Sequence, residues 1–196
     1  MKGYTNKTEI ENYLLIDIDA SFWTQVERWI EDIETYIDQK TGRNFIADSV
    51  ASAHKYDGDN TSTLLIEDCV EVTEVKIGTD TPLVVDESGE DDEYFVYPAN
   101  MLPKTKIRLT GGYFPKWPPQ TVSIKAKWGY SAAVPADIRN AATILVAGII
   151  NYSLNADGEV KSMSIGRYTV TYKDEKQWQD FDRMEEVFKS YIKYTL

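Results

Sequence analysis

GYSAAVPADIRNAATILVAGIINYS, residues 129–153, is the stretch that decides the fold of this chain. It predicts a helix that begins at Pro135, where the missing N–H costs nothing, with Asp137 in the first turn. From Ala141 to Ile150 every residue except Thr143 is apolar. A helix without a polar face is buried or spans a membrane, and this run is far shorter than the roughly 20 residues that spanning takes. We therefore expect a central helix that is buried partly by its own chain and partly by neighbouring subunits.

Amphipathic helices are predicted on both sides of this element. Asn6 and Glu9 have the spacing of a capping box, which predicts a short helix through the residues that follow. Residues 22–37 repeat apolar side chains at steps of three and four, with acidic residues including Glu34 on the opposite face, and the pattern ends before Gly42. The same periodicity returns from about Lys176 and predicts a C-terminal helix.

Between His54 and Tyr130 the apolar period changes to two, which predicts β-strands. Strands are expected at 63–66, 70–77, 94–97, 106–109 and 122–128. Val72 and Val75 differ in parity, so we expect a bulge near Thr73 and Glu74. After the central helix, residues 165–172 alternate again and predict a strand of a late β-hairpin.

These elements predict an α+β fold with a helical core and an inserted antiparallel β domain. The core comprises an N-terminal amphipathic helix, the buried central helix, the late hairpin and a C-terminal helix. We assign residues 1–53 and 128–196 to the core and residues 54–127 to the inserted domain.

The net charge of −11 is distributed unevenly along the chain. Residues 54–93 hold thirteen acids and two bases, whereas residues 94–136 hold six bases and no acid. The overall acidity argues against a non-specific nucleic-acid-binding protein, but the basic block leaves room for one positive surface. Five of its members alternate along strands and could face phosphate, or could form a solvent-facing strand side that discourages wrong edge pairing. These five are Lys104, Lys106, Arg108, Lys125 and Lys127.

The residue types provide little for catalysis or metal binding. His54 is the only histidine and Cys69 the only cysteine, so a zinc site would lack ligands, and no glycine-rich phosphate-binding motif is present. The stretch DGDNTSTLLIED, 57–68, has the length of a calcium loop but carries Ser62 where that loop needs glycine, so an Asp-Gly turn before a strand is expected instead. The acidic run 86–93 is expected to be a solvated loop. We therefore predict no catalytic residues, no metal and no cofactor.

Three segments resemble the head–tail connector (adaptor, or head-completion) proteins of tailed bacteriophages. They are YIDQKTGRNF at 36–45, WGYSAAVPADIRNAATILVAGIINY at 128–152 and SIGRYTVTY at 164–172, of which the GY…VPADIR…A pattern is the most specific. The block KYDGDNTSTLLIEDCVEVTEVKI at 55–77 is similar to the β segment of larger members.

The resemblance implies a structural virion protein that is made in the bacterial cytoplasm and forms a ring, typically twelvefold, beneath the portal. Such a ring joins the filled head to the tail, extends the DNA channel and offers a platform to a stopper or tail-completion protein. It implies no cofactor, no catalysis and no membrane, and only transient contact with DNA. By analogy, we expect portal docking through Trp178, Phe181, Phe188 and Tyr191, and subunit contacts through Trp29, Ile33, Tyr168, Val170 and Tyr172. The basic residues at 104, 106, 108, 125 and 127 are candidates to face the DNA channel or to pair with partner proteins.

Two other function classes stay open at this point. The β domain could be a binding module of a virion that recognises carbohydrate through Trp117 and nearby tyrosines, although Trp117 is expected to pin its own loop. The acidic clusters around Asp57 and Asp91 could also hold a divalent cation for an enzyme, which the shortage of histidine argues against.

Overall fold

The computed structural model describes residues 1–78, 82–83, 93–154, 161–165, 168–172 and 175–193, and for residues 161–182 it describes the backbone only. Within these residues the chain forms four helices and seven strands. They form an α+β fold, as predicted. The helices are α1 (Lys7–Leu14), α2 (Ala20–Thr41), α3 (Ala136–Leu154) and α4 (Glu175–Tyr191). The strands are β1 (Ser52–Tyr56), β2 (Thr63–Ile77), β3 (Tyr94–Tyr97), β4 (Lys104–Leu109), β5 (Val122–Trp128), β6 (Lys161–Ile165) and β7 (Tyr168–Tyr172).

The chain divides into two compact units. The helical unit comprises Met1–Arg43 and Val134–Leu196, and the β unit comprises Asn44–Ala133. The β unit is longer at both ends than the inserted domain assigned from the sequence, because two flanking segments pair with each other. Ala47 N–H donates to Ser131 O (2.9 Å), and Tyr130 N–H donates to Asn44 O (2.8 Å).

Helix α3 is the buried centre of the helical unit, which confirms the sequence prediction. It contacts α1, α2, α4 and β7. Most of its side chains are buried, including Ile138, Ala142, Leu145 and Ile150, whereas Asn140 is exposed and Ile144 is half-buried on the remaining side. Each large apolar side chain buried in this way contributes about 1.5–3 kcal/mol. The expectation that neighbouring subunits complete the burial of α3 stays a prediction, since Ile144 and Gly148 are only half-buried within the single chain.

Thr143, the polar residue within the apolar run of α3, has two partners. Its hydroxyl lies 2.6 Å from the Thr5 hydroxyl and donates to Arg139 O at 2.9 Å. Thr143 is buried, and these two partners replace the hydrogen bonds that its hydroxyl would otherwise make with water.

Glu34 is buried, although the helical pattern placed it on the polar face of α2. Its carboxylate accepts the backbone N–H groups of Lys2 (2.6 Å), Gly3 (2.7 Å) and Tyr4 (2.9 Å). Three hydrogen bonds to an ionised acceptor offset much of the cost of burying its charge. The N-terminal segment is thereby held along α2, an arrangement that helical periodicity does not reveal.

The predicted cap at Asn6 and the predicted stop at Gly42 are confirmed, and Asp19 caps the start of α2. Asn6 Oδ1 accepts Glu9 N–H at 3.0 Å, and Asp19 Oδ1 accepts Ser21 N–H at 2.8 Å. Gly42 closes α2 with φ +68°, a left-handed conformation that glycine adopts without a Cβ clash.

The late hairpin differs from the single strand predicted at 165–172. Strand β6 pairs antiparallel with β7, and Ile165 lies directly opposite Tyr168. The alternation therefore belongs to two strands, because the period-two pattern runs on through Gly166 in the sequence and hides the change of direction.

A five-stranded antiparallel sheet in the order β1-β5-β2-β4-β3 builds the β unit. Strand β2 runs without interruption through the two stretches predicted as separate strands. Its register shifts between Val72 and Glu74, which confirms the predicted bulge, and shifts again between Cys69 and Glu71. The bulge lets Val72 and Val75 point to the same side, where they join the apolar cluster.

One face of the sheet carries the core of the β unit. Every second residue of β5 is buried, from Val122 to Trp128, and β4 adds Ile107 and Leu109. Phe114, from the connection between these strands, closes the cluster and is fully buried. The alternate residues of the same strands consequently lie on the opposite face, which we call the outer face.

We expect Leu145→Asp to destabilise the helical unit by several kcal/mol, because the carboxylate would be buried among apolar side chains with no partner. The matched control is Leu154→Asp, at the end of the same helix, where the leucine is exposed. Thermal unfolding followed by circular dichroism checks the difference. A Leu145→Asp protein that unfolds at the wild-type temperature would contradict the central role of α3.

Candidate interaction surfaces

The outer face of the sheet gathers most of the basic residues singled out in the sequence. In β4 the alternation that buries Ile107 and Leu109 turns their neighbours outward, and the alternation of β5 does the same. The strand register adds Lys55 and Lys76, which both lie opposite Ser123 on this face. The predicted residues on the outer face are Lys106, Arg108, Lys125 and Lys127, whereas Lys104 lies opposite the buried Cys69, beyond a register shift of β2.

Part of this positive charge is already paired inside the chain. Lys127 Nζ lies 2.6 Å from Glu71 Oε2, and Lys76 Nζ lies 3.1 Å from Glu74 Oε1. Lys104 Nζ donates to two carbonyl oxygens of the preceding loop, at residues 98 and 99, each at 2.6 Å. Two of the five basic residues thus stabilise their own unit, and Lys106 and Arg108 remain beside exposed apolar side chains.

Two rows of residues cross β2, β4 and β3 on the outer face. One row is Thr63–Arg108–Phe95 and the other is Leu65–Lys106–Tyr97. We call these six residues the basic-apolar patch. Leu65 is 61 % exposed and Phe95 is also exposed, while Lys106 Nζ lies 5.3 Å from the centre of the Tyr97 ring. The strand pattern alone does not identify this patch, because an outward-facing leucine or phenylalanine becomes evident only when its cross-strand neighbours are known.

Trp117 lies at the tip of a loop that other residues hold in place. It is 81 % exposed, so the expectation that it pins its own loop is wrong. Phe114 anchors the loop instead, and Asp57 and Asn60 accept the backbone N–H groups of Gln120 (2.6 Å) and Lys116 (2.9 Å). These two polar side chains are thus engaged by the backbone of the loop that carries Trp117.

Glycine is required at position 58, where the turn before β2 meets the loop that carries Trp117. A Cβ at this position would lie 2.3 Å from the carbonyl oxygen of Phe114. The Asp-Gly turn predicted before β2 is therefore also a docking point for the Trp117 loop.

The calcium interpretation of residues 57–68 fails on the roles of its acids. Asp59 accepts both the N–H and the hydroxyl of Thr61, which lowers the pKa of its carboxyl. Within the part of the chain that the structure describes, no group of three or more His, Cys, Asp or Glu residues is arranged to hold a metal. The acidic run 86–93 lies outside the described residues except for Glu93.

His54, the single histidine, has a packing role. Its ring stacks on Trp128 with centroids 4.3 Å apart and 7° between planes, and its Nδ1 lies 3.1 Å from Glu67 Oε2. The Tyr56 hydroxyl donates to the same carboxylate. Burial, followed by this hydrogen bond, raises the pKa of Tyr56 above its usual value.

The residues predicted for subunit contacts divide into two groups. Trp29 is 8 % exposed and Ile33 is buried, so both already pack inside the helical unit and offer little area to a neighbour. The other predicted residues lie on β7, where the structure describes the backbone but not the side chains: Tyr168, Val170 and Tyr172.

The C-terminal helix uses its predicted aromatic residues partly for its own core. Phe188 is fully buried and contacts Tyr36 edge to face, with ring centres 6.3 Å apart. The Tyr191 hydroxyl donates to Asp137 at 2.9 Å. The side chains of Trp178 and Phe181 lie outside the described residues. The exposed positions in the described part of α4 are Arg183, Glu186, Lys189 and Ser190.

The connection between α1 and α2 forms a second exposed apolar surface, which sequence periodicity did not reveal. Leu15 is 89 % exposed and has φ +57°, a left-handed conformation that costs a residue other than glycine roughly 1–2 kcal/mol. Tyr13 and Ile16 are also exposed, and Asp17 adds a negative charge. We call residues 13–17 the acidic-apolar corner.

The acidic-apolar corner is held at both of its ends. The Leu15 N–H donates to Glu11 O, and the Ile18 N–H donates to the Glu11 carboxylate at 2.8 Å. Ile18 is buried beneath the corner, and Asp19 then caps α2. The apolar side chains are therefore presented on a fixed backbone.

None of the helices described is long and apolar enough to cross a membrane.

Comparison with known proteins gives a structural likeness only. No family model matches this sequence, and no curated protein matches it. Among solved structures, the chain is similar to one from the neck of an empty gene transfer agent (GTA) particle, a structure computed with C6 symmetry. The TM-score is 0.59 and the sequence identity 15 %, over 100 % of this chain and 92 % of the other. The two chains thus share a fold across nearly their whole lengths.

Proposed function

We propose that this chain is a structural virion protein of the neck, the region that joins the head of a tailed phage or phage-like particle to its tail. The observation that carries the proposal is the fold shared with a GTA neck chain over 100 % of this sequence. The three segments similar to head–tail connector proteins point to the same place in a virion, and they come from sequence motifs rather than from the fold.

The proposed assembly is a ring of identical subunits beneath the portal. The C6 symmetry of the GTA neck supports a cyclic arrangement, and a twelvefold ring is one of the multiples of six that such symmetry accommodates. Cyclic rings with more than two subunits are built from heterologous contacts, in which two different surfaces of one subunit meet. The basic-apolar patch and the acidic-apolar corner are two surfaces of this kind.

The proposed partners are the portal on one side and a stopper or tail-completion protein on the other. For portal docking we propose the exposed side of α4, since Phe188 is used inside the helical unit. For the basic outer face we favour pairing with protein, because Glu71 and Glu74 already neutralise part of its charge. The second use that we propose for the outer face is contact with packaged DNA. This contact would be weak and sensitive to salt, because it would involve only phosphate groups.

Ring formation is expected to depend on the portal. A subunit with a net charge of −11 repels its copies at long range, so the isolated protein should remain monomeric or weakly associated at low salt. Sedimentation velocity of the purified protein with and without its candidate portal measures this dependence. Stable rings formed by the isolated protein at micromolar concentration and low salt would argue against it.

Reversing the charges on the exposed side of α4 should prevent attachment to filled heads without unfolding the protein. The variant combines Arg183→Glu, Glu186→Lys and Lys189→Glu, which change surface residues only. Attachment is measured by sedimenting heads with bound protein, and stability by thermal unfolding.

The control is Phe188→Ala, on the buried side of the same helix. Unlike the triple variant, it should lower the free energy of unfolding by about 3–5 kcal/mol, because it removes a buried aromatic side chain. Heads that still bind the triple variant at the wild-type level would exclude this side of α4 from portal docking.

A further inference from the structure

The acidic-apolar corner and the basic-apolar patch are complementary in chemistry. Leu15 and Ile16 are exposed at the corner beside Asp17, whereas Leu65 and Phe95 are exposed at the patch beside basic side chains. Each surface combines apolar area with charge, and the signs are opposite.

We propose that the acidic-apolar corner of one copy of this chain docks on the basic-apolar patch of the next copy. In this contact Leu15 is the apolar anchor and lies between Leu65 and Phe95, while Asp17 pairs with Lys106 or Arg108. The inference rests on the proposed function, because it assigns the subunit contact of the proposed ring.

Leu15 carries the strongest part of the argument. It is nearly fully exposed, and its left-handed backbone would suit glycine or asparagine better. The folded subunit therefore gains no burial from this leucine and bears a conformational cost for it. A partner surface that buries the side chain would offset that cost.

The geometry of the patch suits a single projecting side chain. Leu65 and Phe95 stand on strands either side of β4 in neighbouring rows, two strand spacings across and two residues along, which is about 12 Å. Lys106 and Arg108 lie between them on β4, and Arg108 is exposed. A leucine can lie in this interval with an acid beside it in reach of the two cations.

Charge complementarity selects a second copy as the occupant. The chain carries −11 in total although its outer face is basic, so its remaining surface is more acidic than the net charge indicates. An approaching copy is repelled by most of the molecule and attracted at this face. The contact is heterologous, since the two surfaces lie on different units of the chain, and it can therefore propagate into a ring.

Cysteine cross-linking tests the contact directly. Cys69 is buried and does not compete with introduced thiols. Under oxidising conditions and with the candidate portal present, Leu15→Cys/Leu65→Cys protein should form a ladder of disulfide-linked dimers, trimers and higher oligomers. The single variants Leu15→Cys and Leu65→Cys should link only when they are mixed, and then only into dimers.

The matched control replaces Leu15→Cys by Val50→Cys, a position that is also exposed and lies outside both surfaces. A ladder no stronger than that of Val50→Cys/Leu65→Cys, or dimers formed by Leu15→Cys alone, would overturn the proposal.

The charge contribution is tested in the same cross-linking reaction. Asp17→Lys should slow it by about tenfold, because it brings like charges together, and Lys106→Glu/Arg108→Glu on the same chain should restore the rate. Suppression of cross-linking by added duplex DNA, with salt-sensitive binding of that DNA lost in Lys106→Glu/Arg108→Glu protein, would instead assign the patch to nucleic acid.

Failure of this contact can be distinguished from failure of the neck assignment. Leu15→Asn suits the left-handed backbone and should leave thermal stability unchanged while abolishing incorporation into particles. If Leu15→Asn protein still enters particle necks, the neck assignment stands and the contact is wrong. If the cross-linked ladder forms but wild-type protein never joins heads or tails, the contact stands and the neck assignment is wrong.

Discussion

The broad apolar surface of α3 is the constraint on which the helical unit depends. A helix that is apolar over most of its circumference must be covered over most of it, so helices and a hairpin strand from both ends of the sequence pack around it. This requirement brings the N-terminal 43 residues together with the C-terminal part of the chain. The β unit, Asn44–Ala133, is inserted in the sequence between these two parts.

Polar groups inside this apolar unit are placed where neighbouring backbone can satisfy them. Thr143 bonds to Thr5, and Glu34 accepts three successive N–H groups of the N-terminal segment. Both arrangements fix the same segment, residues 2–5, to the helices. An unpaired buried hydroxyl or carboxylate would be costly, so these contacts give the unit a specific arrangement as well as stability.

Local patterns were sufficient to predict the helices, their caps and the β2 bulge, because each depends on residues a few positions apart. Asn6 and Gly42 illustrate this, since each acts through a bond to a neighbour within four residues. The burial of Glu34 and the limits of the β unit depend on distant contacts, which periodicity does not encode. Among the interaction surfaces, alternation placed the basic residues on one face, but it could not show that Lys104 and Lys127 have partners within the chain. Leu15 could not be identified from the pattern either, because its significance lies in its backbone conformation.

The pairing of the two segments that join the units has a consequence for how such a chain can change. Gly129 lies so close to the backbone of Ala47 that a Cβ would come within 2.5 Å of its Cα atom, so the incoming and outgoing segments meet at a single crowded point. A module whose two ends are adjacent can be lengthened, exchanged or removed without altering the register of the helices on either side. The helical unit is then a fixed frame, and the β unit is the part in which related particles could diversify their contacts.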